Sequence, residues 1–332
     1  MCRICPHPIR IVWPFVVCGW VVTACAPQWA SDARLAAAEP VADIVWKPVA
    51  DDGVIPEPGH YYLPQDIRTN RTKAIDIRAD HVVLDFRGRA LRSSQPPRKG
   101  LLGIVANGRR AITIRNGRLG GFWFNTHCTS CRQLTIENMT FDDIAYIGVN
   151  VARSRDVRIS NNSFTRFRYD IPKPQAKYLV GINIGAERAV ICQNQFQVKP
   201  PAGSLEMLDL ETVLVLFSAR VSQQCLVSLN TMESTRPLPR SYGVWVAREN
   251  QVSIVSNTLH NLQYAVSAAQ QSTVLVSQNQ IRIGAAKTPA FPTYGVSAKS
   301  AKSAAVWNNT FKQIGIQTLI PESSLVKDNV TH

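Results

Sequence analysis

Ile159-Ser-Asn-Asn162-Ser-Phe164 places an apolar β-branched residue, two variable residues, an Asn, one further residue and a large apolar one in order. The phrase returns as Ile191-Cys-Gln-Asn194-Gln-Phe196, Val227-Ser-Leu-Asn230-Thr-Met232 and Ile254-Val-Ser-Asn257-Thr-Leu259. It continues as Val276-Ser-Gln-Asn279-Gln-Ile281 and Val306-Trp-Asn-Asn309-Thr-Phe311, with a partial copy at Val326-Lys-Asp-Asn329. Two earlier copies, Ile114-Arg-Asn-Gly117-Arg-Leu119 and Ile136-Glu-Asn-Met139-Thr-Phe141, carry the Asn one place sooner, at Asn116 and Asn138. From residue 117 onward the copies are spaced by 22, 23, 32, 36, 27, 22, 30 and 20 residues. The base period is therefore near 22, with additions in some copies only.

A second phrase precedes each copy by about thirteen residues, most clearly as Tyr146-Ile-Gly-Val149-Asn-Val151, Tyr242-Gly-Val244-Trp-Val246 and Tyr294-Gly-Val296-Ser-Ala298. Both phrases alternate apolar and polar residues at period two, the signature of strands whose two faces see different surroundings. One such unit cannot bury its own apolar face, whereas stacked copies can. The chain is thus predicted to be all-β, a parallel β-solenoid of about ten coils. Asn in a fixed column fits a tight corner that needs left-handed backbone geometry, and stacked amides can bond to one another up the solenoid. Phe141, Phe164, Phe196, Met232, Leu259, Ile281 and Phe311 are predicted to form an inward apolar stack. Residues 40–70 are expected to cover the first coil, with Trp46 and Tyr61 or Tyr62 as plugs.

Pro58-Gly-His-Tyr-Tyr-Leu63, Val82-Val-Leu-Asp85-Phe-Arg-Gly88 and the Asn-x-Phe copies resemble right-handed parallel β-helix proteins of the pectate-lyase-like superfamily, over roughly residues 58 to 332. The resemblance implies a right-handed coil and a saccharide-directed protein. That superfamily spans polysaccharide lyases, polygalacturonase-type hydrolases, uronan epimerases and pure binding modules, so fold alone does not choose an activity. The chain departs from the hydrolase pattern, because Asn125-Thr-His127 stands where Asn-Thr-Asp would be wanted. It also lacks Gly-His-Gly and Asp-Pro-His-Asp segments.

The 332 residues carry 37 Lys and Arg against 23 Asp and Glu, a formal charge of +14. With 45% hydrophobic residues this composition excludes a mostly disordered chain. Arg3 and Arg10 precede an uncharged run at 11–25, read as a secretory signal within residues 1–30. Val22-Thr-Ala-Cys25 looks like a bacterial lipobox, so either Cys25 carries a lipid, the only membrane attachment expected, or a signal peptidase cuts after Ala26 or Ala30. Residues 31–58 read as a leader and 59–332 as the solenoid domain. Export to the periplasm, the outer membrane or the medium of a bacterium follows as the expected location. In an oxidising compartment Cys128 and Cys131 can close a small disulfide, while no further ligands stand at zinc spacing.

The extra residues of the long copies fall near 166–179, 198–212, 233–241 and 284–293, all after the Asn-x-Phe strand. They are expected to build a wall along one edge, beside an outward column of His127, Asn150, Asn183, Trp245, Ser267 and Ser297. Amide, hydroxyl and indole groups suit sugar hydroxyls and pyranose faces. Catalytic candidates are Asp142, Asp143 and Asp170 for a two-carboxylate hydrolysis. Arg166 and Arg168 are the candidates for lyase-type elimination, which needs a base and positive charge at the uronate. Lys173 joins His127, Asn150, Asn183 and Trp245 as substrate-binding. Glu233, His260 and Arg282 occupy one position of consecutive copies, where a carboxylate beside an imidazole raises its pKa, as a general base requires. Glu206, Asp209 and Glu211 offer oxygens to calcium, the one cofactor considered, although their spacing matches no calcium loop.

The expected partner is an acidic polysaccharide bound by a monomer. Nucleic acid is not expected, because no basic stripe with interleaved aromatics is present. The chain reads as an exported acidic-polysaccharide protein, with lyase-type elimination the first enzymatic reading. A non-catalytic carbohydrate-binding or cell-envelope structural module is the alternative.

Overall fold

The computed structural model describes residues 44–170, 177–201, 210–218, 222–248, 250–269, 271–283, 292–314, 316–321 and 324–331. Among these residues every secondary-structure element is a strand and every strand pairing is parallel. Each coil runs through three strands in a fixed order, and equivalent strands of successive coils stack into three sheets. The chain is a right-handed parallel β-helix.

Sheet one runs from Val54–Ile55 through residues 102–107, 124–129, 147–152 and 180–184 to Ile316–Leu319. Sheet two starts at Trp46–Pro48 and ends at Leu325–Lys327, and sheet three runs from Ile67–Thr69 to Val330–Thr331. Among the described residues eleven coils result, one more than expected, because the coil through 54–69, placed in the expected cover, is itself a full turn of the solenoid. Strand pairing also begins inside the segment read as leader: Trp46 pairs with His60. Trp46 is no plug. It lies on the outer face of sheet two, edge-on to His60 and under the Arg87 guanidinium, which also covers Tyr62. Tyr61 alone of the three turns inward and is buried.

The predicted inward stack is present in register. Phe141, Phe164, Phe196, Met232, Leu259, Ile281 and Phe311 follow one another in sheet three, all at most 2% exposed. Phe141, Phe164 and Phe196 stack at 4.9 and 4.6 Å between ring centroids. This stack explains the Gly of the second phrase. A Cβ at Gly181 would stand 2.7 Å from the Leu214 carbonyl oxygen and 2.8 Å from the Phe196 ring.

The Asn column is a buried amide ladder. Across seven successive coils, Asn162 to Asn329, each Asn donates its backbone N and Nδ2 to Oδ1 of the next, six links at 2.9–3.1 Å. The left-handed geometry lies one residue earlier than expected, at Asn161, Gln193, Leu229, Ser256, Gln278, Asn308 and Asp328. Asn116 and Asn138 occupy that earlier position, which is why the first two copies looked shifted. Of the predicted inserts, 233–241 is an extended strand with register shifts on either side of Leu238, part of Thr231–Val246. Residues 171–176, 202–209 and 284–291 of the others lie outside the described residues.

Candidate functional site

The outward column of sheet one is brought together in the predicted order, His127, Asn150, Asn183, Leu216, Trp245, Ser267 and Ser297 on successive coils. Four polar groups form a directed chain. Ser218 Oγ donates to Asn183 Oδ1 at 2.7 Å, and Asn183 Nδ2 donates to Asn150 Oδ1 at 2.7 Å. Asn150 Nδ2 then donates to His127 Nδ1 at 2.9 Å. With Asn183 and Asn150 oriented as in the structure, His127 Nδ1 is the acceptor and Nε2 carries the proton. Burial lowers the His127 pKa, which keeps the ring neutral. The chain therefore ends in a fixed N–H donor.

Beside it runs an aromatic column that the sequence reading did not use. Tyr242, Tyr264 and Tyr294 stack at 4.9 and 4.8 Å, within 7° of parallel. Trp245 packs on Tyr242 at 4.8 Å and edge-on to Tyr178 at 5.9 Å. Towards the other end, Phe124, Tyr146 and Tyr178 pack against the buried outer-face residues Ile147, Val180 and Val213. The signal was in view: Tyr stands at one register position at 242, 264 and 294, and a recurring aromatic in a strand register stacks with its copies.

The first acidic and basic cluster is real and internally paired. Arg92 Nη2 and Arg166 Nη2 both donate to Asp142 Oδ2, at 2.5 and 2.9 Å. Arg168 makes a two-point bond to Asp170, at 2.9 and 2.6 Å, and lies 3.9 Å from Asp143. That bond raises the Arg168 pKa and lowers the Asp170 pKa. Arg92 was missed because it lies two coils before Asp142, with Gly120 between them in the register. A Cβ on Gly120 would stand 2.2 Å from Asp142 Oδ1, so its absence lets the two side chains meet. Asp142 is 7% exposed, and its Oδ1 has no hydrogen-bond partner among the described residues. Three guanidiniums face three carboxylates here, and Lys173 lies outside the described residues. Next to this cluster the Tyr169 hydroxyl meets Thr212 Oγ1 at 3.0 Å, and burial pushes the phenol up to about 12.

Glu233, His260 and Arg282 are register neighbours in sheet three. The His260 pKa is nonetheless lowered. Burial and the Arg282 charge outweigh the Glu233 carboxylate, contrary to the expectation of a raised pKa. Glu206 and Asp209 lie outside the described residues, and Glu211 pairs with Lys177 at 3.7 Å. Among the described residues no group of three or more His, Cys, Asp or Glu is arranged to hold a metal. The expected disulfide is not formed: Cys128 and Cys131 are both free and buried. Contact between the two thiols raises the Cys128 pKa and brings Cys131 down to about 7.

These features define a β-helix with an aromatic and amide-lined outer face. Known structures share the coil. The chain is similar to the tailspike protein of E. coli bacteriophage HK620 (TM-score 0.57, 9% identity), covering 83% of this chain and 56% of the tailspike. It thus spans little more than half of that protein. A further structure of this tailspike, matched at TM-score 0.53 and 10% identity over 83% of this chain and 58% of the other, is in complex with a pentasaccharide. An exopolygalacturonase from Thermotoga maritima matches at TM-score 0.53 and 10% identity, over 86% of this chain and 85% of the other. DFA-IIIase from Arthrobacter chlorophenolicus A6 matches at TM-score 0.52 and 9% identity, over 82% and 72%. No family model and no curated protein matches the sequence.

Proposed function

We propose that the protein binds an acidic oligosaccharide along the outer face of sheet one. The observation that carries this reading is the directed chain from Ser218 to the His127 Nε2 donor, lying in the same sheet as the Tyr242–Tyr264–Tyr294 stack. Oriented amides select sugar hydroxyls, and aromatic rings supply flat apolar surface for pyranose faces. The formal charge of +14 favours an acidic ligand. A pentasaccharide complex and an exopolygalacturonase among the fold neighbours support a saccharide ligand.

Binding is the first reading and lyase-type elimination the second. A base in elimination needs a free lone pair, and the Nδ1 lone pair of His127 is engaged by Asn150. The experiment is incubation with pectate, alginate and glycosaminoglycans, with and without calcium, followed by tryptophan fluorescence and absorbance of unsaturated ends. The expected result is saturable binding to at least one polymer without unsaturated product, weakened roughly tenfold or more by Trp245→Ala. Appearance of unsaturated ends would assign elimination to the face. Absence of binding to every polymer would overturn the proposal.

A further inference from the structure

The arginines of the 166–170 segment are matched by carboxylates, so the unbalanced positive charge lies elsewhere. Part of it lies at the corner between sheet one and sheet two. Arg110, Arg132 and Arg155 occupy one register position on three consecutive coils. Neighbouring coils stand ~4.8 Å apart, so three like charges are stacked, an arrangement that costs free energy unless an anion relieves it. Only Arg155 has a carboxylate, Glu187, at 2.9 and 2.6 Å. Among the described residues no carboxylate lies within 4.0 Å of the exposed Arg110, Arg132 or Arg153 guanidiniums.

The corner is also concave. Arg132, Arg153, Arg155 and Glu187 line a half-open pocket of about 490 Å³, with Ser130 and Gln223 as neutral donors. Ser130 and Arg153 hold left-handed backbone at this corner, φ 54° and 51°. Three guanidiniums against one carboxylate leave the pocket cationic and forked for a planar or tetrahedral oxyanion.

We propose that this pocket is an anion subsite that takes a sulfate, phosphate or carboxylate group of an acidic glycan. The size fits one anionic group and its sugar, and the Arg110–Arg132–Arg155 column offers further charge along the solenoid axis. The described residues lining the pocket include no aromatic for stacking a base, which disfavours single-stranded nucleic acid. The identity of the polymer rests on the sugar-binding reading of sheet one. The anion subsite does not.

The test uses the full protein and five probes: dextran sulfate, polygalacturonate, neutral dextran, inorganic phosphate and a DNA duplex. The variants are Arg132→Ser with Arg153→Ser, and as a charge control Lys312→Gln with Lys327→Gln, two exposed lysines of the last two coils. Dextran sulfate or polygalacturonate affinity is expected to drop roughly five- to tenfold at low salt in the arginine pair only, with a shallower salt dependence. The circular dichroism melt should be unchanged, since both side chains are exposed outside the coil core. Equal loss in both pairs would reduce the effect to net charge and overturn the subsite. Unchanged affinity in the arginine pair, or tighter binding of the duplex than of either acidic glycan, would overturn it too. Unchanged glycan affinity in Trp245→Ala, with affinity lost in the arginine pair, would instead count against the sheet-one reading alone.

Discussion

At the scale of single residues, His127 shows how neighbours assign a role. Its ring would be a general base in isolation, yet the amide chain from Ser218 uses its Nδ1 lone pair and leaves an N–H facing out. A folded pKa held below the ordinary value of about 6.5 has a definite sign for stability. Above that pH both folded and unfolded rings are neutral and the contribution is whole. As pH falls through 6.5 towards the lowered folded value, the unfolded chain takes up the proton first and stability declines. Protonation would also set two donors, Nδ1–H and the Asn150 amide, against each other. Sugar affinity should therefore fall between pH 7 and 5. His127→Gln, which keeps an acceptor for Asn150, should flatten that part of the profile in a titration series. A parent protein whose affinity and melting are level across this range would show that the ring is not held neutral. His260 adds to the same decline in stability, since its pKa is also lowered.

At the scale of the element, the repeating corner between sheets two and three carries more of the fold than any one strand. Asn257 Oδ1 accepts from Asn230 N and Nδ2, while its own Nδ2 donates to the Val227 and Val255 carbonyls. Asn257→Ala would orphan these groups in the interior. The expected cost is roughly 2–4 kcal/mol, because a buried donor or acceptor without a partner keeps its full desolvation penalty. Urea unfolding of the variant checks this, and a loss below about 1 kcal/mol would mean that the ladder is ornamental to stability. The strand next to that corner needs its glycines for a different reason. Gly148 and Gly181 lie against the Phe164 and Phe196 rings, so the Tyr-Gly-Val phrase and the Asn-x-Phe phrase are two sides of one packing contact.

At the scale of the molecule, the charge distribution separates two edges. The corner after sheet three pairs its arginines with Asp142, Asp143 and Asp170, and the corner after sheet one leaves Arg110, Arg132 and Arg153 open. Residues 1–43 lie outside the described residues, and their reading as a targeting segment is a proposal from composition. Mass spectrometry of the protein purified from its native host should find an N-terminus at or after Cys25, carrying lipid if the lipobox is used. An intact Met1 would refute export with cleavage.

The repeat alone was enough for the class of fold, the inward Phe–Met–Leu–Ile stack and the outward column from His127 to Ser297. These follow from strand periodicity and coil stacking, which act locally and recur in every copy. The same copies misplaced the left-handed residue by one, since a corner constrains backbone angles that side-chain identity only weakly reports. Charge pairing was not legible at all. Arg92 and Asp142 are fifty residues apart in sequence and meet only because Gly120 leaves room between them. The fates of the two basic segments diverged for the same reason. Arg166 and Arg168, candidates for elimination in the sequence, are paired with Asp142 and Asp170, whereas Arg132 and Arg153, unremarkable in the sequence, converge on an open pocket. Periodicity is written in each repeat, but electrostatic partners are chosen across coils, and only the three-dimensional register brings them within reach.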